Sequence, residues 1–362
     1  MKIAEKKMKD KPIKGLTDFD IHGLRGGEAD DFYRIWEEAF GDGRADVDEF
    51  LACFGDNASK FVLKDEGSVR AILTQYPIGD LFIPGSPKSK FWTPIYGFDV
   101  ETLGRPLDEN GSFKSHHIPV DVSYAIATET AGRGKGYGKA ITDFARKRAT
   151  DMGHLSALCP ESNSLEKFYS AVGYESFFYA EKSFAPALLP VSMRGEQSFS
   201  FATRLTPDRY NEIREIILKY RPHIVLNENA LAAVSSYCDE GLGFFMLEKP
   251  FAIFVAESLK DGELYLSEVL TYDVEPRAVA AVIAAVFGAD SCRCKSPVTG
   301  FPPFDDEHEG MIACPDHVAD DDFSNMSFKN LIRLYEYGSS NSFDYDNLRE
   351  FEQLPYFGFP FP

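Results

Sequence analysis

The 362-residue chain contains no run of about 18 or more consecutive apolar residues, so no membrane-spanning helix is expected. Cysteine is scarce. The six residues Cys53, Cys159, Cys238, Cys292, Cys294 and Cys314 form no disulfide framework, which points to a reducing, cytoplasmic setting. Cys292-x-Cys294 lacks two further ligands at zinc-like spacing and reads as two strand residues on one face, so no metal is expected. Positive charge is short as well: 38 Lys and Arg against 57 Asp and Glu leave a net charge of −19. Such a chain repels nucleic acid and anionic membranes and attracts cationic small molecules. The basic opening MKIAEKKMKDKPIK leads into no apolar stretch, so it is not expected to be a secretory signal; residues 1–17 read as a flexible tail.

What is present is an ordinary globular composition, 44% hydrophobic and 26% charged, long enough for two domains. One segment reverses the charge. From Ala131 to Thr150, Arg133, Lys135, Lys139, Arg146, Lys147 and Arg148 face a single Asp143. A positive island in an acidic chain suits either an anionic ligand or a solvated helix face, and the glycines within it favour the ligand.

Periodicity predicts alternating strands and helices in the first half. Strands are expected over 19–24, 60–63, 69–76, 120–128, 154–159 and 174–183, and helices over 30–40, 47–54, 136–150 and from Asn163 to the capping Gly173. The Pro- and Gly-rich stretch 77–106 fits strand or loop. Residues 194–197 read as a linker. The second half repeats the rhythm: helices over 207–220 and 226–237, a hairpin over 244–257, a strand over 263–272, a helix over 276–287 and a strand over 291–295. This order predicts a divergent structural repeat. Residues 301–362 are acidic and aromatic, with a helix near 328–337 and an apolar end at Pro362, and are expected to pack on the body as an extension.

Glycines at 132, 134, 136 and 138 lie between a predicted strand and a predicted helix. Closely spaced glycines let backbone N–H groups converge at a helix N-terminus, where the dipole favours an anion. Spacing separates the loops that use this device. A P-loop fails: with Gly138-Lys139 as anchor, the first glycine position holds Arg133 and the hydroxyl position holds Ala140. A dinucleotide fingerprint fails in each register, where Tyr137, Lys139 or Ile141 takes the third glycine position.

The pattern [QR]-x-x-G-x-[GA] is met by Arg133, Gly136 and Gly138. Downstream, Asn163-Ser-Leu-Glu-Lys-Phe-Tyr-Ser-Ala-Val-Gly-Tyr174 is similar to N-x-x-A-x-x-F-Y-x-x-x-G-F, with Leu165–Glu166 and Tyr174 departing from it. On these two blocks the chain resembles the GNAT superfamily of acyl-CoA-dependent N-acyltransferases, over about residues 18–185. The resemblance implies an α/β (α+β) fold, a mixed twisted sheet flanked by helices, with residues 18–185 as the catalytic domain and 196–300 as a degenerate second copy. In that second copy Asp273 and Glu275 stand where phosphates would sit, so it would bind no coenzyme and would shape the acceptor cleft or a dimer interface.

The resemblance further implies acetyl-CoA as co-substrate. The N–H groups of Arg133, Gly134, Lys135, Gly136 and Gly138 would surround its pyrophosphate, within a cofactor-binding stretch that includes Tyr137. The side chains of Arg133, Lys135 or Lys139 would add charge, Lys139 being equally readable as solvated. The edge of Ile126, Ala127 and Thr128 would meet the pantetheine amides, and Asn163 would touch the arm from the other side. A small cationic or peptide amine would attack the thioester directly through a tetrahedral intermediate, with Tyr169 as the acid that protonates the departing thiolate. Asp121 or Glu129 is the candidate base, with His116, His117, a water relay and the Pro362 carboxylate also open. Asp42, Asp46, Asp48 and Glu49 would draw in a cation or form an exposed acidic loop. A non-catalytic CoA-binding sensor is the alternative function, and a longer-chain or aminoacyl transferase a third.

Overall fold

The computed structural model describes residues 19–83, 116–188, 202–219, 221–272, 274–297, 308–313, 356 and 358. The expected tail at 1–17, the linker at 194–197, Asp273, Cys314, the helix near 328–337 and Pro362 lie outside the described residues.

The first half runs β1 (Asp20–Gly23), α1 (Ala29–Phe40), α2 (Arg44–Ala52), β2 (Ser59–Asp65), β3 (Ser68–Ile83), β4 (His116–Thr128), α3 (Tyr137–Asp151), β5 (Leu155–Leu158), α4 (Asn163–Ser170), β6 (Glu175–Tyr179) and β7 (Glu181–Pro186). The second runs β8 (Thr203–Arg204), α5 (Pro207–Leu218), β9 (His223–Leu226), α6 (Glu228–Tyr237), β10 (Gly243–Leu247), β11 (Ala252–Lys260), β12 (Glu263–Thr271), α7 (Pro276–Val286), β13 (Ser291–Ser296) and β14 (His308–Ala313). The helices follow from local chemistry. In α1, Phe32, Ile35 and Trp36 recur at helical spacing and are buried, and Gly41 ends the helix in the left-handed region with its N–H on the Glu37 carbonyl at 2.9 Å. Thr206 caps α5 by accepting the Arg209 N–H, one residue before Pro207.

Two sheets result. One is eight-stranded, ordered β1-β2-β3-β4-β5-β14-β6 with β9 also on β3; the other is six-stranded, ordered β7-β13-β12-β11-β10-β8. Each sheet has one parallel pair between strands of its own half, β4–β5 and β12–β13, with a helix crossing between them. The two halves thus share a plan, as the order of predicted elements anticipates.

Three features depart from the sequence expectation. The strand expected over 174–183 is two strands that break at Ala180: β6 stays in the first sheet, whereas β7 pairs antiparallel with β13 in the second. Reciprocally, β14 returns from beyond the second half to lie between β5 and β6. The halves therefore exchange a strand. The helix expected to start at Leu226 begins at Glu228, because Asn227 caps it by accepting the Ala230 N–H at 2.9 Å; the residues before the cap form β9. Finally, β3 continues through Pro77 to Ile83, and Gly79 permits the approach of β9, since a Cβ there would lie 1.8 Å from the Val225 carbonyl oxygen.

The main core joins both halves: Trp36, Phe50 and Tyr76 share one buried cluster with Tyr210, Leu231, Ile253 and Tyr356. A second cluster surrounds α7, where Val279 and Ile283 meet Phe254, Leu266, Cys292, Cys294 and Ala185 of the exchanged β7. Each large apolar side chain removed from water contributes about 1.5–3 kcal/mol. Among the described residues no helix is long and apolar enough to cross a membrane.

Candidate active site

The site begins as a fork. Parallel pairing of β4 with β5 covers only Val120, Asp121 and Val122 against Leu155, Ser156 and Ala157. Beyond Val122, β4 runs on to Thr128 with no strand on its β5 side among the described residues. A bulge separates the strands: Ile72 faces Ala127 and Thr74 faces Tyr124, so β4 carries an extra residue, and Ala125 adopts φ +50°. The Thr74 hydroxyl donates to the Tyr124 carbonyl at 2.8 Å and holds the bulge. A bulge bends and twists its strand, which leaves the backbone of Ile126, Ala127 and Thr128 as a free edge lining the opening.

At the mouth of the fork lies the glycine loop. A single 3₁₀ turn, Thr130–Gly132, leads through Gly134 at φ +78° and Gly136 at φ +89° into α3. Gly136 needs its freedom for conformation, whereas Gly138 needs it for space: a Cβ there would meet Thr128 Oγ1 at 3.2 Å and the Phe168 ring at 3.7 Å. Within the loop, the Arg133 N–H bonds the Thr130 carbonyl and the Lys135 N–H the Gly132 carbonyl, at 3.4 and 3.3 Å. The N–H groups of Gly134, Gly136, Tyr137, Gly138 and Lys139 have no partner among the described residues. Of the amides expected to form the cradle, two are engaged in the loop itself, and Tyr137 and Lys139 add two others. The Tyr137 side chain turns away: its hydroxyl donates to Asp65 at 2.7 Å, and burial with that carboxylate pushes its pKa up to about 12.

The positive island divides in two. Arg146 and Lys147 pair with Asp143, both at 2.8 Å, and Arg148 donates to Gln75 at 2.7 Å, so these three belong to the helix. Arg133, Lys135 and Lys139 are exposed and form no ion pair among the described residues. Free amides, a helix N-terminus and unpaired cations together make a site for a phosphate-type anion.

Across the fork, Ser162 caps α4, whose first residue is the exposed Asn163. The Phe168 ring reaches the start of α3, and Tyr169 beside it packs in a buried cluster with Leu158, Val172, Tyr174, Met311 and Ala313, against the half-buried Ile126 of β4. Tyr169 is 7% exposed, and its hydroxyl has no hydrogen-bond partner among the described residues. Burial, aided by the nearby Tyr174 and Cys159, raises its pKa well above that of a free phenol, so it stays protonated at neutral pH.

The candidate bases lie elsewhere. Asp121 is buried where β4 and β5 are still paired, and its carboxylate meets His154 Nδ1 at 3.1 Å. Glu129 is buried beyond the end of β4; it accepts a hydrogen bond from Arg70, and Arg34 stands at 4.0 Å. Its carbonyl accepts the Gly132 N–H, so Glu129 anchors the glycine loop. His117 is exposed and faces Asp80 at 3.8 Å, beyond the paired segment, and the His116 side chain lies outside the described residues.

Sequence reasoning missed the wall on the α1–α2 side of the fork. Tyr124, the last residue before the bulge, is half-buried against Trp36 and Phe50, with ring centroids 6.0 and 5.3 Å away. Its hydroxyl is hydrogen-bonded to that of Tyr237 from α6. Trp36 Nε1 donates to Asp42 at 3.0 Å, and Cys159, just past the end of β5, neighbours Tyr76, Tyr124 and Tyr169. No local motif joins these residues; they come from six separate elements.

No family model matches the chain, and no curated protein matches it in sequence. Solved structures do. A GCN5-related N-acetyltransferase from Anabaena variabilis is 14% identical, with 81% of this chain and 72% of that one covered and a TM-score of 0.55. A GCN5-related N-acetyltransferase from Kribbella flavida is 16% identical, with 82% and 70% covered and a TM-score of 0.53. A conserved protein from Enterococcus faecalis described as a probable N-acyltransferase is 12% identical, with 82% and 72% covered and a TM-score of 0.52. With its twice-used plan of a mixed sheet and one forked parallel pair, the chain has the fold of the GCN5-related N-acetyltransferases.

Proposed function

We propose that this protein is an acyl-CoA-dependent N-acetyltransferase that moves an acetyl group from acetyl-CoA to a primary amine, a small cationic molecule or a peptide. The observation that carries the reading is the start of α3: five N–H groups without partners and three unpaired cations, beside the free edge of β4. A diphosphate fits the first, and the amides of an extended pantetheine arm fit the second.

Acetyl-CoA supplies a thioester whose carbonyl carbon lies, in this reading, in the fork. The Gly134, Gly136 and Gly138 amides with Arg133 and Lys135 hold the diphosphate; Ile126, Ala127 and Thr128 hold the arm on one side, and Asn163 borders it on the other. The amine attacks once it has lost its proton, the C–N bond forms, and the C–S bond breaks as the tetrahedral adduct collapses. Tyr169 hands its proton to the leaving sulfur. Its high pKa keeps that proton in place until sulfur charge develops. Asp121 and Glu129 are both engaged with basic partners, so a water relay to bulk solvent is the favoured route for the amine proton.

Steady-state acetyl transfer by Tyr169→Phe, with coenzyme affinity measured by calorimetry, tests this assignment. The substitution should lower kcat at least about a hundredfold and leave CoA affinity unchanged, because a general acid contributes about that much to the chemical step. A wild-type protein that binds CoA but transfers acetyl to no amine would be a sensor instead.

A further inference from the structure

The glycine loop starts from a turn that lacks the usual local cap. The first N–H groups of a helical turn have no partner within it, and the side chain of the residue just before commonly accepts one of them. Before Thr130–Gly132 that residue is Glu129, whose side chain makes no such bond. Its carboxylate is committed to Arg70 of β3 instead. The Thr130 N–H is accepted by Glu38 Oε1 at 3.0 Å, from α1 and 92 residues away in the chain. The Thr130 hydroxyl bonds the same carboxylate, and hydroxyl and N–H together hold the Glu38 pKa below the usual carboxylate range.

Arg34, one turn earlier on α1, completes the junction. Its guanidinium stands 3.7 Å from Glu38 Oε2 and 4.0 Å from Glu129 Oε2. Arginine and glutamate thus alternate from β3 across the turn to α1, in the order Arg70, Glu129, Arg34, Glu38. The backbone carries this grip into the loop. The Glu129 carbonyl accepts the Gly132 N–H at 2.9 Å, and the Thr130 carbonyl accepts the Arg133 N–H at 3.4 Å. The next residue is Gly134, the first of the loop amides without a partner among the described residues. Trp36, between Arg34 and Glu38 on α1, stands in the wall of the fork against Tyr124, so α1 serves both the loop and the wall.

We propose that Glu38 is a positioning residue for the coenzyme: as a cap supplied from α1, it fixes the turn from which the loop amides are aimed at the diphosphate. This rests on the reading of that loop as the coenzyme site. Simple charge points the other way. A carboxylate beside an anion site repels the anion, so on Coulomb interaction alone the loss of Glu38 would tighten coenzyme binding. As a cap, its loss frees Thr130 and lets the loop amides sample other directions; binding must then order them and is weaker. The two roles differ in sign. Glutamine separates them further, because its amide oxygen can still accept the Thr130 N–H while carrying no charge.

The test compares wild-type protein with Glu38→Ala and Glu38→Gln. Glu38 is exposed, and alanine and glutamine are both good helix formers, so neither variant threatens α1. Calorimetry with CoA should show affinity about fivefold weaker in Glu38→Ala, one part-exposed hydrogen-bonding group being lost, and within about twofold of wild type in Glu38→Gln. The KM for acetyl-CoA should follow the same pattern, with kcat at saturating coenzyme within about twofold in both, since Glu38 acts on the loop and not on the bonds that form and break. Hydrogen exchange of the ligand-free protein should be faster over residues 129–135 in Glu38→Ala and unchanged in Glu38→Gln. Equal or tighter CoA binding by Glu38→Ala would overturn the role and leave the coenzyme reading intact. If wild-type protein binds no CoA, the coenzyme reading falls and exchange decides the rest: a loosened turn in Glu38→Ala upholds the cap, and an unchanged one removes it.

Discussion

The loop after β4 and the turn after β12 occupy equivalent places in two sheets of the same plan, and they have opposite chemistry. After β4, four glycines open the backbone, and α3 starts with unclaimed amides beside Arg133, Lys135 and Lys139. After β12 the chain enters α7 within a few residues. Pro276 has no N–H, the Ala278 and Val279 amides both bond the Glu275 carbonyl at 3.0 and 3.2 Å, and the exposed Glu275 adds negative charge. Both parallel pairs fork; in the second, Glu268 is buried against Arg214 at 3.0 Å and Tyr210. The comparison teaches that a shared sheet plan does not fix the chemistry of the loop that follows it. Glycine content decides how many amides at the helix start are left free for an anion.

The largest expected effect strikes at that difference. Gly136→Val places a β-branched residue at φ +89°, where it cannot remain without strain, and should weaken CoA binding about a hundredfold by calorimetry. Unchanged binding would separate the glycine loop from coenzyme recognition and remove the contrast between the halves.

A smaller effect distinguishes the halves by their buried carboxylates. Glu28, hydrogen-bonded to Lys64 at 2.9 Å and to His22, has its pKa held at about 2 against the cost of burial, whereas Glu257 is raised to about 7. The depressed group contributes stability that is present above its unfolded value and lost as pH falls toward 2. The raised group contributes stability that is complete below its unfolded value and lost as pH rises through 7. Thermal denaturation of Glu28→Gln should accordingly show a loss of about 1–2 kcal/mol at pH 7 that vanishes in acid, and Glu257→Gln a gain of similar size at pH 9 that vanishes near pH 4. Parallel pH profiles for the two variants would contradict both assignments.

The smallest effect is a control on the second half. Arg277, in the first turn of α7, donates to the Phe184 carbonyl at 3.0 Å. Arg277→Ala should leave CoA affinity within about twofold of wild type, because a surface contact of this kind contributes little to a distant site. A tenfold loss would mean that the second fork takes part in coenzyme binding after all.

Much of this is legible in the amino-acid sequence. The glycine spacing marked the loop, the Phe168–Tyr169 block marked α4, and the order of predicted elements in the two halves marked the repeat, because each signal lies within one short stretch. What stayed hidden depends on distant partners. Residues 174–183 read as a single strand, since alternation cannot reveal that Glu175–Tyr179 and Glu181–Pro186 pair with different sheets. Leu226 looked helical because a four-residue β9 before a strong cap resembles the start of the helix itself. The wall of Trp36, Tyr124, Cys159 and Tyr237 had no sequence signature, as no two of its members share an element. Nor could spacing show that Arg146, Lys147 and Arg148 are consumed within α3's own surroundings, while Arg133 and Lys135 remain available.

The crossed placement of β7 and β14 bears on how the protein is made. On the ribosome, the segment holding the glycine loop and Tyr169 emerges early, yet its sheet lacks an inner strand until Met311 and Ile312 have been synthesised and can pair with Ala157 and Leu158. A chain released before that point keeps the edge of β5 bare, an invitation to aggregation.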